Sequence, residues 1–177
     1  LAHKGYFDEE KLYTLNKYGT DLPSHCDMNK TPGVDMTTGS LGQGLSAANG
    51  MALASKLDEK GYRVYALLGD GEIQEGQIWE AAMSSSHYCL NNVIAFLDYN
   101  KLQIDGSNDD VMTVKPVDKK FEAFGWNVIE ICGHCMTQIE DAFEKARECK
   151  GKPTCIVAET VKGKGVSFME DQCDWHG

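Results

Sequence analysis

Short apolar runs alternate with stretches of helical periodicity along this chain of 177 residues. The runs that are long enough for strands occupy residues 64–68, 93–97, 126–131 and 154–159. Apolar strands that alternate with amphipathic helices are typical of a parallel sheet covered on both sides. The predicted fold class is therefore α/β, a doubly wound parallel sheet with helices on both faces. The length fits a single domain.

The helices that would cover this sheet lie between the apolar runs. Helical periodicity predicts them at residues 45–60, 75–88, 117–124 and 137–149. Gly61 is expected to end the first of these helices as a C-cap. Residues 1–16 show helical periodicity as well. Loops or irregular structure are expected where Gly, Pro and polar residues concentrate, at residues 19–35, 100–115 and 160–177.

Polar residues stand where the first two predicted strands end. Asp70, in the turn Gly69-Asp70-Gly71, follows the first strand, and Asn100 follows the second. In a parallel sheet both residues lie at the carboxyl edge, where open α/β sheets bind their ligands. Carboxylate and amide oxygens suit Mg²⁺ or Ca²⁺, and Mg²⁺ completes its shell with water and ligand phosphates. The pattern predicts a divalent cation held against a diphosphate. A plain Gly-Asp-Gly turn is the competing interpretation.

Two local features support the predicted binding of a diphosphate. Gly71 lets the backbone approach a phosphate closely, and a helix that starts near Glu75 offers free N–H groups to an anion. Taken without other information, Glu75 is also a first-turn acidic residue that the helix macrodipole favours.

Composition and charge argue against some classes of binding partner. The formal net charge is -10 and is spread along the chain, which argues against nucleic acid. No apolar run reaches 18 residues, so no membrane span is expected. The seven cysteines, an odd number in a pattern that does not suggest secretion, indicate reduced thiols and a cytoplasmic protein. The pair Cys132 and Cys135 forms a CxxC, but no second pair completes a zinc site, so redox or metal chemistry there is the alternative to a structural role.

Several segments resemble transketolases, in the right order and over essentially the whole chain. They are Pro32 to Gly44 (PGVDMTTGSLGQG), Gly69 to Gly76 (GDGEIQEG) with Asn100 downstream, Phe124-Gly125-Trp126, Lys162 to Gly165 (KGKG) and Trp175-His176-Gly177. The chain looks most like the N-terminal subunit of a split bacterial-type transketolase. The resemblance implies a thiamine diphosphate-binding fold with thiamine diphosphate and Mg²⁺ (or Ca²⁺) as cofactors. It also implies transfer of a two-carbon ketol unit from a ketose phosphate to an aldose phosphate in the pentose phosphate pathway.

The resemblance also implies residue roles. Asp70, the Asn100 side chain and the Leu102 carbonyl would bind the cation. The cofactor contacts implied are Gly39, Leu41, Gly69, Asp70, Gly71, Glu72, Asn100, Ile104, Lys162 and His176. Catalytic roles would fall to His25 near the donor sugar, His176 near the diphosphate and the substrate hydroxyls, and Glu75 in an acidic network that links paired active sites.

Some residues of the family pattern are not found in this sequence, and others are substituted. Two further family histidines belong upstream of Leu1, and the Glu that activates the cofactor belongs to a separate pyrimidine-binding domain. The chain is therefore expected to be an N-terminally incomplete diphosphate-binding domain, active with a C-terminal subunit in a homo- or hetero-oligomer. Cys26 stands where the family has Pro, and Asp35 stands where Glu is frequent.

Three alternatives remain at this point. One is another thiamine enzyme, such as 1-deoxyxylulose-5-phosphate synthase or the thiamine component of a 2-oxoacid dehydrogenase. Another is a non-catalytic partner that binds the cofactor and scaffolds an oligomer. A generic nucleotide-binding domain is the third, although the chain lacks a Walker Lys-Ser/Thr and a G-x-G-x-x-G after the first strand.

Overall fold

The computed structural model describes residues 1–176, which form two compact units, 1–41 and the chain from Gly42 onward. Gly177, the last residue of the Trp-His-Gly segment, lies outside the described residues. In the first unit, the helical periodicity of residues 1–16 produces only two 3₁₀ turns, Ala2–Lys4 and Glu9–Thr14. The first turn ends at Gly5, which is in the left-handed conformation, so no continuous helix forms.

The second unit is built on a parallel sheet. In chain order its strands are β1 Val64–Gly69, β2 Val93–Tyr99, β3 Leu102–Gln103, β4 Gly106–Ser107, β5 Asn127–Cys132 and β6 Thr154–Glu159. Four of them form one sheet in the order β1-β2-β6-β5, and every neighbouring pair is parallel. The short strands β3 and β4 pair as an antiparallel hairpin. This sheet confirms the predicted fold class.

Helices cover both faces of the sheet. In chain order they are α1 Gln43–Leu57, α2 Gly76–His87, α3 Asn108–Val111, α4 Val117–Ala123 and α5 Met136–Glu148. Leu68 and Leu97 of the sheet share one core with apolar side chains from α1, α2 and α4. On the other face, Ile94 and Ile156 pack against α5.

An aromatic cluster holds the larger core together next to α2 and α4. The ring of Trp79 lies 5.1 Å from that of Phe121 and 5.3 Å from that of Phe124, measured between centroids. Phe121 also meets Trp126 edge to face at 5.5 Å. The indole N–H of Trp126 donates to the carbonyl of Ala82 at 3.0 Å, so the ring is buried with its polar atom satisfied.

Besides the helix expected over residues 1–16, two other local predictions are wrong. Helix α1 ends at Leu57 because the chain reverses at Glu59, which takes a positive φ of 53°, so Gly61 lies beyond the cap. The expected loop at 100–115 contains the β3–β4 hairpin and the single-turn helix α3. Among residues 1–176, no helix is long and apolar enough to cross a membrane. The seven cysteines are free thiols.

Candidate functional site

The ends of β1 and β2 bring the predicted cation ligands to one edge of the sheet. Gly69 lies opposite Asp98 in the register of the two strands, so Asp70 and Asn100 both follow at the carboxyl ends. The backbone N–H of Asp70 donates to the carbonyl of Asp98 at 3.3 Å, which extends the pairing by one residue. The expectation that both residues lie at the carboxyl edge is confirmed.

Asp70 is a buried carboxylate with no positive side chain paired to it. The residue is 1% exposed, and its two carboxylate oxygens accept from the backbone N–H groups of Gly71, at 2.8 Å, and of Lys101. Within residues 1–176, no Lys, Arg or His forms an ion pair with it.

The pKa of Asp70 also indicates that its negative charge is not compensated. Burial raises the pKa of Asp70 above its usual value and the charge of Asp98 adds to this, whereas the N–H of Lys101, the nearby amide of Asn108 and the N–H of Gly71 lower it. The net direction is upward, so the charged form lacks compensation. A divalent cation would supply it.

Asn100 is held so that its carbonyl oxygen faces the turn that follows. Its Nδ2 donates to Asp98 Oδ2 at 3.3 Å, and its Oδ1 accepts from the N–H of Leu102 at 3.0 Å. An amide oxygen has two lone pairs, so one remains for a cation. Together with the carboxylate of Asp70 and the carbonyl of Leu102, this donor set fits Mg²⁺ or Ca²⁺.

Asp98 is a site residue that the sequence analysis missed. Its Oδ1 accepts from the Thr160 hydroxyl and its Oδ2 accepts from Asn100, so it orients the predicted amide ligand and joins the ends of β2 and β6. A metal site often depends on such outer partners. The signal was present as an Asp that ends a buried apolar strand. Across the described part of the chain, no three His, Cys, Asp or Glu side chains are grouped as a metal site, so the fit rests on amide and carbonyl oxygens as well.

The carboxylate of Glu72 joins two glycine-containing segments through hydrogen bonds close to this edge of the sheet. One carboxylate oxygen accepts from the N–H of Gly42 at 3.0 Å and the other accepts from the N–H of Gly69 at 3.1 Å. The backbone of Gly42 lies against Glu75, since a Cβ at position 42 would be 3.0 Å from the Glu75 Cβ. Glu75 itself is exposed immediately before α2, without capping that helix through its side chain.

The remaining residues predicted in this unit differ in exposure. Ile104 is exposed between β3 and β4, and His176 is exposed after the 3₁₀ turn Cys173–Trp175. Lys162 is half-buried, and its ammonium joins no ion pair among residues 1–176. The role of Lys162 as a diphosphate ligand stays a prediction.

The first unit brings together two other predicted residues, His25 and Gly39. A Cβ on Gly39 would lie 2.5 Å from Cδ2 of the His25 ring, and Gly39 has a φ of 124°. Only glycine suits this position, for steric and for conformational reasons. The His25 side chain is exposed, with Nδ1 3.4 Å from the Ser24 hydroxyl, and Leu41 is exposed as well.

A parallel α/β unit with a buried carboxylate and an oriented amide at its carboxyl edge is the architecture of a domain that binds a cation and a diphosphate. The family model described as "Transketolase, thiamine diphosphate binding domain" matches residues 3–177. The chain therefore belongs to the family of transketolase thiamine diphosphate-binding domains.

Known relatives share this segment and extend beyond it. The chain is 53% identical over 176 residues to the 6-deoxy-6-sulfo-D-fructose transketolase subunit SqwG of Clostridium sp. (strain MSTE9), covering 99% of this chain and 64% of that protein. It is 42% identical to an apulose-4-phosphate transketolase subunit of Phocaeicola vulgatus, covering 99% of this chain and 62% of that protein. The chain thus spans less than two thirds of the length of these relatives.

The solved structures agree with the fold. Transketolase from Campylobacter jejuni superimposes with a TM-score of 0.86 at 32% identity, over 93% of this chain and 27% of that one. Human transketolase is 44% identical over 180 residues, which is 28% of its length. In these longer proteins the region matched by this chain is one part of a larger enzyme.

Proposed function

We propose that this chain is the diphosphate-binding part of a transketolase that transfers a two-carbon ketol unit from a ketose phosphate to an aldose phosphate. The observation that carries the proposal is the buried, uncompensated carboxylate of Asp70 beside the oriented amide of Asn100. Membership in the transketolase thiamine diphosphate-binding family supports the identity of the ligand as thiamine diphosphate. The proposal includes Mg²⁺ as the cation.

The residues of this edge would share the binding task. Asp70, the Asn100 Oδ1 and the Leu102 carbonyl would hold Mg²⁺, which neutralises the diphosphate. The backbone at Gly69 and Gly71 would approach the diphosphate closely because neither residue carries a Cβ. Glu72 would keep that backbone in place through its two hydrogen bonds.

Other residues of the same unit would complete the cofactor contacts. Lys162 would offer its ammonium to the diphosphate, and Ile104 would line the cofactor ring. Glu75 would join an acidic network between paired active sites in an oligomer. When bound, thiamine diphosphate supplies the electron sink that two-carbon transfer requires.

Proton handling would fall to imidazoles, whose ordinary pKa suits neutral pH. For His176, and for His25, Gly39 and Leu41 in the first unit, the proposal keeps the roles that the resemblance implies. His25 would contact the donor sugar near the reacting carbons, and Gly39 would leave room for its ring. His176 would hold substrate hydroxyls or move protons near the diphosphate.

The proposal also includes a partner. A C-terminal subunit with the pyrimidine-binding domain would complete the active site, in a homo- or hetero-oligomer in the cytoplasm. Relatives named as transketolase subunits, of which this chain covers less than two thirds, support that arrangement.

Ketol transfer with a candidate partner tests the proposal. The natural polypeptide that contains this chain would be assayed with thiamine diphosphate and Mg²⁺, alone and mixed with a candidate C-terminal subunit. The donor would be xylulose 5-phosphate and the acceptor ribose 5-phosphate. We expect activity only in the mixture, and loss of that activity in Asp70→Asn. Intact cofactor binding without transfer from any donor would contradict the proposal and favour another thiamine enzyme or a non-catalytic partner.

The choice of donor is a second question that the same assay addresses. The 53% identity to a 6-deoxy-6-sulfo-D-fructose transketolase subunit favours a sulfonated ketose as the second candidate donor. Transfer from xylulose 5-phosphate would place the enzyme in the pentose phosphate pathway. Preferential transfer from 6-deoxy-6-sulfo-D-fructose would assign it to sulfosugar metabolism instead.

A further inference from the structure

Asn108 is a buried amide with unmet hydrogen-bonding capacity. The residue is 2% exposed, and neither its Nδ2 nor its Oδ1 has a hydrogen-bond partner among residues 1–176. Buried side-chain amides are almost always paired, so each exception calls for an explanation. No role for Asn108 follows from the sequence motifs described above.

Backbone hydrogen bonds fix the position of Asn108 next to Lys101. The N–H of Asn108 donates to the carbonyl of Lys101 at 2.9 Å, and the carbonyl of Asn108 accepts from the N–H of Met112 at 3.0 Å. The first bond joins the start of α3 to the residue that follows Asn100, and the second lies within the α3 turn. The unmet polar atoms therefore belong only to the side chain, in a segment whose main chain is satisfied.

The amide borders the carboxylate of Asp70 and the backbone of Gly71. Its Oδ1 lies 3.9 Å from the point where a Cβ on Gly71 would stand. It is also a neighbour of the Asp70 carboxylate, although neither of its polar atoms completes a hydrogen bond among residues 1–176. The unpartnered amide thus faces the place where the cation and diphosphate would bind.

The chemistry of an amide suits that location. Asn offers two donor hydrogens and an acceptor oxygen. A cation that keeps bound water presents donors, whereas carboxylate and phosphate oxygens present acceptors. An apolar residue of similar size would avoid the burial of unpaired polar atoms, so an amide is advantageous only with a ligand in place.

We propose that Asn108 is a positioning residue of the cation–diphosphate site: once the cation and diphosphate are in place, its Nδ2 donates to the Asp70 carboxylate and its Oδ1 accepts from cation-bound water. The inference rests on the proposed function, since it assumes that the cation and diphosphate bind at Asp70. It adds a residue from α3 to the cation ligands proposed at the ends of β1 and β2 and in β3.

Substitution by a side chain of similar size and no polarity tests this role. In Asn108→Leu we expect the midpoint of thermal unfolding without ligands to rise by about 2–4 °C, since two unpaired polar atoms are removed. In the presence of thiamine diphosphate, the dissociation constant for Mg²⁺ should rise by about 10–100-fold, as for other outer partners of metal ligands. Both quantities would be measured on the full polypeptide as isolated, by calorimetry.

Asn49 provides a matched control, because it is a buried amide whose partners lie within the protein. Its Nδ2 donates to the carbonyl of Ala81 at 2.8 Å, and its Oδ1 accepts from the Ser85 hydroxyl at 2.7 Å. Since Asn49→Leu breaks two buried hydrogen bonds, it should lower the unfolding midpoint and change the Mg²⁺ dissociation constant by less than about twofold. A purely structural role for Asn108 would leave the Mg²⁺ dissociation constant as little changed in Asn108→Leu as in Asn49→Leu.

Further variants separate the possible failures. If Asn108→Leu does not fold, Asn108→Ala removes the amide without added branching and should weaken Mg²⁺ binding by the same factor. A Mg²⁺ dissociation constant within about twofold of the parent in a folded Asn108 variant would overturn the inference. If Asp70→Ala also leaves Mg²⁺ binding unchanged, the proposed site itself is wrong. If only Asp70→Ala weakens it, the error lies in the role of Asn108.

Discussion

The hydrophobic core and the carboxyl edge of the sheet both contain deeply buried residues, but they differ in whether the buried polar groups have partners. In the core, Phe121 is fully buried among aromatic and aliphatic side chains, and the N–H of Trp126 has its partner. At the edge, Asp70 and Asn108 are as deeply buried, yet one carries an uncompensated charge and the other has unpaired polar atoms. The core is satisfied by the protein alone, whereas the edge has the buried groups that the proposed ligand would compensate.

Burial alone therefore does not reveal what a residue contributes to this protein. Removing a buried group from the core creates a cavity and lowers stability. Removing a buried charge from the edge also removes its desolvation penalty, so we expect the stability to change little and the affinity for the proposed ligand to fall. The two regions can be separated by measuring unfolding and binding on the same variants.

The largest effect on stability is expected from Phe121→Ala. The loss of a fully buried ring that contacts Trp79 and Trp126 should lower the free energy of unfolding by about 3–5 kcal/mol. The affinity for thiamine diphosphate, measured below the unfolding transition, should remain within about threefold of the parent because the ring lies in the core. Chemical denaturation and calorimetric titration provide the two values. A large loss of affinity in the folded variant would show that core and edge are coupled.

Asp70→Ala should give the reverse pattern. We expect the affinity for thiamine diphosphate and Mg²⁺ to fall by more than about a hundredfold, since a direct ligand matters more than its outer partners. The free energy of unfolding without ligands should change by less than about 1 kcal/mol, because the relieved desolvation offsets the two lost N–H bonds. Calorimetric titration of the assembled enzyme is the measurement. Unchanged affinity would refute the assignment of Asp70.

Glu72→Gln tests a residue that belongs to both regions. The amide group of Gln cannot accept from both Gly42 and Gly69 as the carboxylate does, so one backbone N–H loses its partner. We expect a loss of about 1–3 kcal/mol in the free energy of unfolding, measured by chemical denaturation. Cofactor affinity should fall as well, because Gly69 adjoins Asp70.

A matched control for Glu72 is available on α2. Glu80 is exposed, and Glu80→Gln should change the free energy of unfolding by less than about 0.5 kcal/mol. Equal effects of the two substitutions would mean that the hydrogen bonds of Glu72 contribute nothing measurable.

The smallest effect is expected from Lys101→Met. The ammonium of Lys101 pairs with Glu159 at the same edge of the sheet, but both side chains are about half exposed or more. Exposed ion pairs contribute less than about 1 kcal/mol, and added salt screens them. Thermal unfolding at low and high ionic strength should show a small difference from the parent that disappears in high salt. A difference that persists in high salt would indicate a packing role for the side chain.

Much of the fold could be predicted because its signals are local. The strand predicted at 154–159 matches β6, and the helices predicted at 117–124 and 137–149 match α4 and α5 to within one residue at each end. Hydrophobic periodicity, together with the Gly or Pro residues that bound it, indicates these elements within a short window of sequence. The short strands β3 and β4 carry no periodic signal, since two residues are too few to show one.

The site was predictable in part for the same reason. Asp70 and Asn100 each follow an apolar strand, so their place at the carboxyl edge could be inferred without coordinates. The partners of Glu72 lie 3 and 30 residues away, and Thr160 lies 62 residues from Asp98. No local pattern encodes such contacts, because they depend on which strands become neighbours.

The order of apolar and polar residues was enough to specify a parallel α/β domain with a carboxylate and an amide at the ends of adjacent strands. That order sets the secondary structure and the edge of the sheet at which each turn lies. The folded chain was needed to establish that Asp70 is buried without a counter-charge, that Asp98 orients Asn100, and that Asn108 faces them with its amide unpaired. Burial and hydrogen bonding are properties of neighbours in space, and the chain brings those neighbours together only when the sheet forms.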